Sequence, residues 1–203
     1  MAERIVSRPD SLQIGPVRGR GIGWNGMVML IASEAALFGY LLFSYYFLAV
    51  SNPAGWVIES RPSLTLALPN TLLLLASSVA AWWGDDGVRK DRPGQALGGL
   101  GLAFVMGLAF AVVQVFEWKA KTFGPDASSY ASLYFLTTGF HMAHVVVGLV
   151  ILASLWLWVG RGFFSPLRSL PVSNGVVYWH FVDAVWLAVF ATYYLTPYLG
   201  LGR

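Results

Sequence analysis

The sequence has no cysteine and few charged residues, and each shortage excludes a class of protein. Without cysteine there is no disulfide bond and no thiolate ligand, so a bound metal would need histidine, carboxylate or methionine ligands. Charged residues make up 11% of the 203 residues, whereas soluble domains usually carry about 25%. The mean hydropathy is +0.63. A chain this apolar is expected to lie in a lipid bilayer.

The chain also lacks a basic surface of the kind that binds nucleic acid. Its formal net charge is +3 at pH 7, and the arginines stand beside apolar runs and not on a face interleaved with aromatic residues. Nucleic-acid binding is therefore not indicated. Lipid headgroups are the expected counter-ions, so the membrane is the first predicted partner.

What the chain does have is a series of apolar runs long enough to cross a membrane. A spanning helix needs about 20 mostly apolar residues, and helices are required because backbone polar groups find no water in lipid. The runs lack a period of two, which argues against an outer-membrane barrel. We therefore predict an all-α membrane protein with five transmembrane helices in the segment 24–203. The predicted spans are about 24–50, 65–84, 96–118, 130–159 and 176–198.

The positive charges indicate how the predicted bundle is oriented. Most of the 13 lysines and arginines fall in the N-terminal tail, residues 1–23, and in the connections 85–94 and 160–175, which five spans place on one side. The positive-inside rule then predicts a cytoplasmic N-terminus and a C-terminus on the opposite side. The tail has no apolar stretch of its own, so we expect a cytoplasmic tail and not a cleavable signal.

Small residues recur every four positions along the third predicted span. Such a stripe lets two helix backbones approach closely in a membrane. We therefore predict close helix packing along it and expect the third span to be the buried central helix. The stripe consists of Gly99, Ala103, Gly107 and Ala111.

Six ionisable residues lie inside the predicted spans or at their ends. A charge at mid-bilayer costs a few kcal/mol, so such residues are expected to face the bundle interior. The i,i+3 spacing in "HMAH" and "HFVD" puts each pair on one helix face. Glu34 in the first span and His144 in the fourth lie at similar depths, so their side chains are predicted to meet if these two spans pack together. The six residues are Glu34, Glu117, His141, His144, His180 and Asp183.

Three interpretations of these residues stay open from the residues alone. The histidines and carboxylates could ligate zinc, copper or iron, although a di-iron bundle needs Glu-x-x-His pairs with further glutamates. They could form a proton pathway, although a transporter usually shows internal repeats and broken helices. They could also form a buried polar network that fixes helix packing, since membrane hydrogen bonds of under about 1 kcal/mol suffice for that.

Several segments resemble, in the same order, signature segments of subunit III of the haem-copper oxidases. The match covers residues 26–197 approximately, and the His-x-x-His and Trp-His-Phe-x-Asp segments are its most specific parts. Because longer members have two additional spans at the N-terminus, the chain resembles the five-span form typical of bacterial oxidases, including the bo-type quinol oxidases. The segments are "GMVMLIASEAALFGYLLFSYYF", "LPNTLLLLASSVAAWW", "VQVFEW", "FLTTGFHMAHVVVGL" and "YWHFVDAVWL".

The resemblance implies a non-catalytic accessory subunit in aerobic respiration. In that family, haem and copper belong to subunits I and II, and subunit III binds neither. Subunit III packs beside subunit I, holds structural phospholipids and supports proton uptake while oxygen is reduced to water. We therefore expect a multi-pass protein of the bacterial inner membrane, with a periplasmic C-terminus, oxidase subunits I and II as partners and no cofactor of its own.

The resemblance also implies roles for particular residues, none of them catalytic. Glu34 in "ASEAALF" corresponds to the intramembrane glutamate of the family, which is known for its reactivity toward carbodiimide. The segment "QVFE" matches the Gln-x-x-Glu of the family. The residues expected to form an intramembrane polar network are Glu34, Gln114, Glu117, His141, His144, His180 and Asp183.

Two alternative functions keep the same scaffold. Related five-span proteins accompany nitric oxide reductases, and the sequence features do not separate these from the oxidase subunit. The less favoured alternative is an independent proton carrier, for which the intramembrane carboxyl groups are suitable residues. The sequence leaves open whether the electron donor of the complex is cytochrome c or quinol.

Overall fold

The computed structural model describes residues 22–52, 54, 56–58 and 62–199, and within them the chain is helical without a strand. The long helices are α1 (Ile22–Ser51), α2 (Leu64–Arg89), α3 (Pro93–Ala120), α4 (Ser129–Gly160) and α5 (Leu170–Phe190). A 3-10 turn, Pro166–Arg168, precedes α5, which continues as a π turn, Ala191–Leu195, and a 3-10 turn, Thr196–Tyr198. All five helices are long and apolar enough to cross a membrane, which confirms the predicted all-α, five-span fold.

The helices alternate in direction, so their connections lie at two ends. We call the end where α1 begins the basic end, because the α2–α3 and α4–α5 connections there carry lysine and arginine. The other end, with the α3–α4 connection and the end of α5, is the far end. Most of the predicted tail, residues 1–23, lies outside the described residues.

Helix α2 extends five residues beyond its predicted end at residue 84. Two carboxylates follow that point, and each pairs with a basic residue one turn later: Arg89 Nη2 lies 2.5 Å from Asp85 Oδ2, and Lys90 Nζ lies 2.8 Å from Asp86 Oδ2. Such i,i+4 pairs stabilise a helix, so the charged segment stays helical. Asp91 then takes a left-handed conformation with φ of 54°, which turns the chain directly into α3.

Helix α5 begins six residues before its predicted start at residue 176. Pro171 lies in its first turn, where a missing backbone N–H costs no helical hydrogen bond. Ser173 is buried and its hydroxyl donates to Asp85 Oδ1 at 2.8 Å, which ties the start of α5 to α2. The polar residues before the apolar run therefore belong to the helix.

The most buried helix is α5, so the prediction that the third span is central was wrong. The most apolar stretch of α5 is 61% buried within the protein, against 33% for α3. The main neighbours of α5 are α1, α2 and α4, whereas those of α3 are α2 and α4. Bulky side chains such as Trp179 and Trp186 fill the centre from α5. The small-residue stripe brings α3 close to its neighbours without making it central.

The closest helix contact joins α2 and α3 at glycines. A Cβ atom at Gly99 would lie 2.4 Å from the backbone nitrogen of Gly84 and 2.7 Å from the carbonyl oxygen of Ala80. Further along the stripe, a Cβ atom at Gly107 would lie 2.6 Å from the ring of Trp179 on α5. The stripe therefore serves two contacts, one with the α2 backbone and one with a core tryptophan.

Candidate functional site

The predicted polar residues fall into separate groups at different places in the bundle. The Glu34–His144 pair joins α1 to α4. The Ser78 cluster, which consists of Ser78, His180 and Asp183, joins α2 to α5. The Glu117 cluster, at the far end, consists of Glu117, Lys121, Tyr134 and Tyr194. Gln114 on α3 and His141 on α4 are also buried; the Gln114 side chain approaches the Tyr134 hydroxyl, and the His141 ring has no hydrogen-bond partner among the described residues.

The Glu34–His144 pair is held by one hydrogen bond between the two side chains. His144 Nδ1 lies 2.7 Å from the carbonyl oxygen of Phe140, and because a carbonyl only accepts, Nδ1 carries a hydrogen. His144 Nε2 lies 3.0 Å from Glu34 Oε2. Nε2 therefore either accepts from a protonated carboxyl or donates to a carboxylate. In both forms the bond joins α1 to α4, which is the contact expected from the sequence if these two helices pack together.

In the Ser78 cluster a serine stands between the histidine and the carboxylate. Ser78 Oγ lies 2.7 Å from His180 Nδ1, and the Ser78 hydroxyl donates to Asp183 Oδ2. A hydroxyl has a single hydrogen, so Nδ1 of His180 must donate to Ser78. His180 thus donates to Ser78, and Ser78 donates to Asp183. These two hydrogen bonds join α5 to α2. Ser78 was not among the predicted residues, because a serine in an apolar run carries no distinctive signal.

Further polar contacts follow the same α2–α5 interface. At the basic end, Arg89 and Ser173 both bond the buried Asp85. Deeper in the bundle, the indole nitrogen of Trp179 donates to Ser77 Oγ at 2.9 Å, and that of Trp186 donates to Thr71 Oγ1 at 3.0 Å. The two helices are therefore joined by hydrogen bonds over most of their shared length. None of these contacts was predicted from the sequence.

In the Glu117 cluster one carboxylate oxygen, Glu117 Oε1, has three donors near it: Lys121, Tyr194 and, at 3.5 Å, the hydroxyl of Tyr134. The Tyr194 hydroxyl donates to Glu117 Oε1 at 2.6 Å, and Lys121 Nζ lies 3.3 Å from the same oxygen. The hydroxyl oxygens of Tyr194 and Tyr134 are 3.2 Å apart. Lys121 Nζ also lies 5.0 Å above the ring of Tyr134. These contacts join the end of α3 to α4 and α5.

A π turn explains why two consecutive tyrosines both face the core. Residues Ala191–Leu195 form this wider turn, and both Tyr193 and Tyr194 are fully buried within it. Tyr193 bonds α4, because its hydroxyl donates to the carbonyl oxygen of Leu133 at 3.1 Å. Tyr194 is thereby free to bond Glu117 on α3. The irregular turn lets one helix end bind two neighbours.

His141 lies in an aromatic enclosure and not in a hydrogen-bonded pair. Its ring centroid is 4.8 Å from that of Trp186 and 6.0 Å from that of Phe110, which it meets at 90°. Phe38 contacts both His141 and His144 edge-on. The i,i+3 spacing thus places both histidines beside Phe38, but only His144 reaches a carboxylate.

The geometry of the described residues favours joints between helices over a metal centre. Within them no group of three or more histidine, aspartate or glutamate side chains is arranged to hold a metal ion. The carboxyl groups of Glu34, Glu117 and Asp183 each contact a side chain from another helix. Chemically, these groups can hold helices together and can hold or pass protons.

Comparison with known proteins decides the family. The chain matches the family described as cytochrome c oxidase subunit III over residues 16–198. The chain belongs to this family. It is 33% identical over 174 residues to cytochrome c oxidase subunit 3 of Synechocystis, an alignment that covers 84% of the chain and 74% of the relative.

Other relatives of the subunit III family agree. The chain is 33% identical over 180 residues to the subunit 3 of Artemia franciscana, with 87% of the chain and 69% of the relative covered. It is 30% identical over 172 residues to that of Thermostichus vulcanus, with 84% and 85% covered. The predicted resemblance is therefore confirmed: the chain is a multi-pass membrane subunit III of a haem-copper oxidase.

Proposed function

We propose that the chain is a non-catalytic accessory subunit of a cytochrome c oxidase that reduces oxygen to water in aerobic respiration. The relatives are named as subunits of that oxidase, which supports cytochrome c as the electron donor. The observation that carries the accessory role is that Glu34, Glu117 and Asp183 each bond another helix. Such side chains act as joints, and the redox centres belong to oxidase subunits I and II.

The Glu34–His144 pair is the proposed point at which this subunit supports proton uptake. It is the least enclosed of the three polar groups, because the Glu34 side chain is 29% exposed and that of His144 is 14% exposed. Its shared proton could move between carboxyl and imidazole with little rearrangement. Asp183 and Glu117 are nearly buried, and we assign them to packing. The remaining polar residues, Gln114, His141 and His180, belong to the same intramembrane set.

Phospholipid and the neighbouring subunit are the proposed partners of the outer surface. At the basic end, Trp158 and Phe163 are exposed beside Arg161, which suits an interface where aromatic rings meet lipid headgroups. Helix α1 is the least buried helix, with 11% of its most apolar stretch inside the protein. That leaves a broad apolar face for lipid or for subunit I.

The proposed location is the bacterial inner membrane, with the basic end in the cytoplasm. Because the chain has no cysteine, single thiols can report the orientation. Lys119→Cys at the far end is expected to react with an impermeant thiol reagent added to spheroplasts. Arg161→Cys at the basic end is expected to react only after the membrane is permeabilised. The reverse labelling pattern would contradict the orientation.

Purification through a tag on this chain tests the proposed function. From native membranes in mild detergent, we expect a complex that contains haem and copper and reduces oxygen with reduced cytochrome c. Chain released from that complex by a stronger detergent should show no haem absorption and no copper. A complex that reduces only nitric oxide, or stoichiometric haem on the released chain, would refute the proposal.

A further inference from the structure

Buried polar atoms without a protein partner gather along one stretch of α3, Phe110–Glu117. Gln114 is 1% exposed, His141 1%, Asn70 4% and Glu117 6%. Each of these residues presents at least one polar atom that forms no hydrogen bond with the described part of the chain. The atoms are Gln114 Oε1 and Nε2, Glu117 Oε2, Asn70 Oδ1, and His141 Nδ1 and Nε2.

The four residues are neighbours along that stretch. Gln114 and Glu117 are three positions apart, which puts them on the same face of α3, and both approach the Tyr134 hydroxyl. Asn70 on α2 donates through Nδ2 to the carbonyl oxygen of Phe110 at 3.4 Å, one turn before Gln114. The ring of His141 on α4 packs against the ring of Phe110. The polar atoms therefore line one region shared by α2, α3 and α4.

Leaving such groups unbonded costs free energy, and in folded proteins nearly all buried polar atoms are bonded to protein or to ordered water. Lipid cannot supply the missing bonds, so the partner must lie inside the bundle. Buried water molecules commonly make about three hydrogen bonds to groups of this kind. The region between Phe110 and Glu117 thus has the chemistry of an internal ligand site.

The mixture of donors and acceptors identifies the ligand. Gln114 Nε2 is a donor, whereas Gln114 Oε1, Asn70 Oδ1 and Glu117 Oε2 are acceptors, and a neutral imidazole offers one of each. A cation would suit only the acceptors, and Lys121 already places a positive charge 3.3 Å from Glu117 Oε1. Water both donates and accepts, so it matches the whole set.

We propose that this region is a buried hydration site, in which ordered water bridges Gln114 to Glu117 and extends toward Asn70 and His141. Lys121 marks its outlet, because its side chain is 12% exposed and the chain beyond it forms the partly exposed α3–α4 connection. Water exchanges through this far end. The site links Asn70 and His141 to the Glu117 cluster.

A structure of the intact oxidase complex, at a resolution that shows ordered water, tests the site directly. We expect density within hydrogen-bonding distance of both the Gln114 amide and Glu117 Oε2. The proposal is overturned if these groups bond each other, Tyr134 or a side chain of another subunit with no water between them.

A substitution gives a second test that needs no density. Gln114→Leu keeps the volume and removes the amide. If the amide is hydrogen-bonded, the temperature at which the subunit leaves the complex should fall by several degrees, and the structure of the complex then distinguishes water from Tyr134 as its partner. If the amide is unbonded, removing it should leave that temperature unchanged or raise it, which would overturn the proposal.

The matched control is Thr138→Val, which removes a fully buried hydroxyl that donates to the carbonyl oxygen of Tyr134 in its own helix at 2.6 Å. A fall for Gln114→Leu no larger than that for Thr138→Val would overturn the proposal.

Discussion

Gly99→Leu is expected to prevent stable incorporation of the subunit into the oxidase complex. A Cβ atom at this position would already lie 2.4 Å from the nitrogen and 2.5 Å from the Cα atom of Gly84. Both are backbone atoms that no side-chain rotation can move, so α2 and α3 must separate. The interface between these two helices is the most extensive one in the described part of the protein. Overpacking a core usually costs about 1–3 kcal/mol, and a leucine against backbone should exceed that range. The measurement is the ratio of this subunit to subunit I after purification.

Two other glycines provide controls for the change in helix propensity. At Gly39 on α1 and Gly139 on α4, a Cβ atom would meet no described atom within 4 Å. Gly39→Leu and Gly139→Leu should therefore keep the packing within the subunit. If the Gly99→Leu subunit is purified with subunit I in the same ratio as the wild type, the close α2–α3 contact would be contradicted.

Removing one member of the Glu34–His144 pair should loosen α1, and removing both should restore most of the loss. His144→Leu leaves the carboxyl of Glu34 without its hydrogen-bond partner on α4. Breaking a fully buried pair costs about 3–5 kcal/mol, and partial exposure should reduce that figure here. In Glu34→Leu/His144→Leu no unpaired group remains, because two apolar residues replace the pair. Thermal release of the subunit from the complex is the measurement.

The same double variant separates packing from proton uptake. If the proposed role of the pair is correct, the stable double variant should take up protons more slowly during sustained turnover than the wild type. Normal proton uptake in a fully assembled double variant would show that the pair takes no part in proton uptake. If the double variant is no more stable than His144→Leu, the unpaired Glu34 carboxyl is not the cause of the loss, and the proposed pairing would be contradicted.

The five helices were predictable because lipid imposes a minimum apolar length, which hydropathy detects directly. The ends of α2 and α5 were predicted less well. Hydropathy treats Asp85 and Asp86 as a break, whereas pairing with Arg89 and Lys90 keeps them helical. The central position of α5 was also missed, because a stripe of small residues indicates close contact and not which helix is enclosed.

The ionisable residues of the site stood out because such groups are rare inside apolar runs, but their partners did not. Asp183 bonds Ser78, which is 105 positions away, and Glu117 bonds Tyr194, which is 77 positions away. Serine and tyrosine are ordinary residues of membrane helices, so only the packed structure selects these two. The π turn that aims Tyr194 at Glu117 has no simple pattern in the sequence.

The central claim is that the two fully enclosed carboxyl groups, those of Glu117 and Asp183, join helices and do not conduct protons. Asp183→Asn tests it most directly, because the amide oxygen can still accept from Ser78 while the side chain can no longer carry a proton. The measurement is the number of protons pumped per electron in complexes that retain the full complement of this subunit. We expect normal assembly and wild-type pumping, and normal assembly with reduced pumping would contradict the claim.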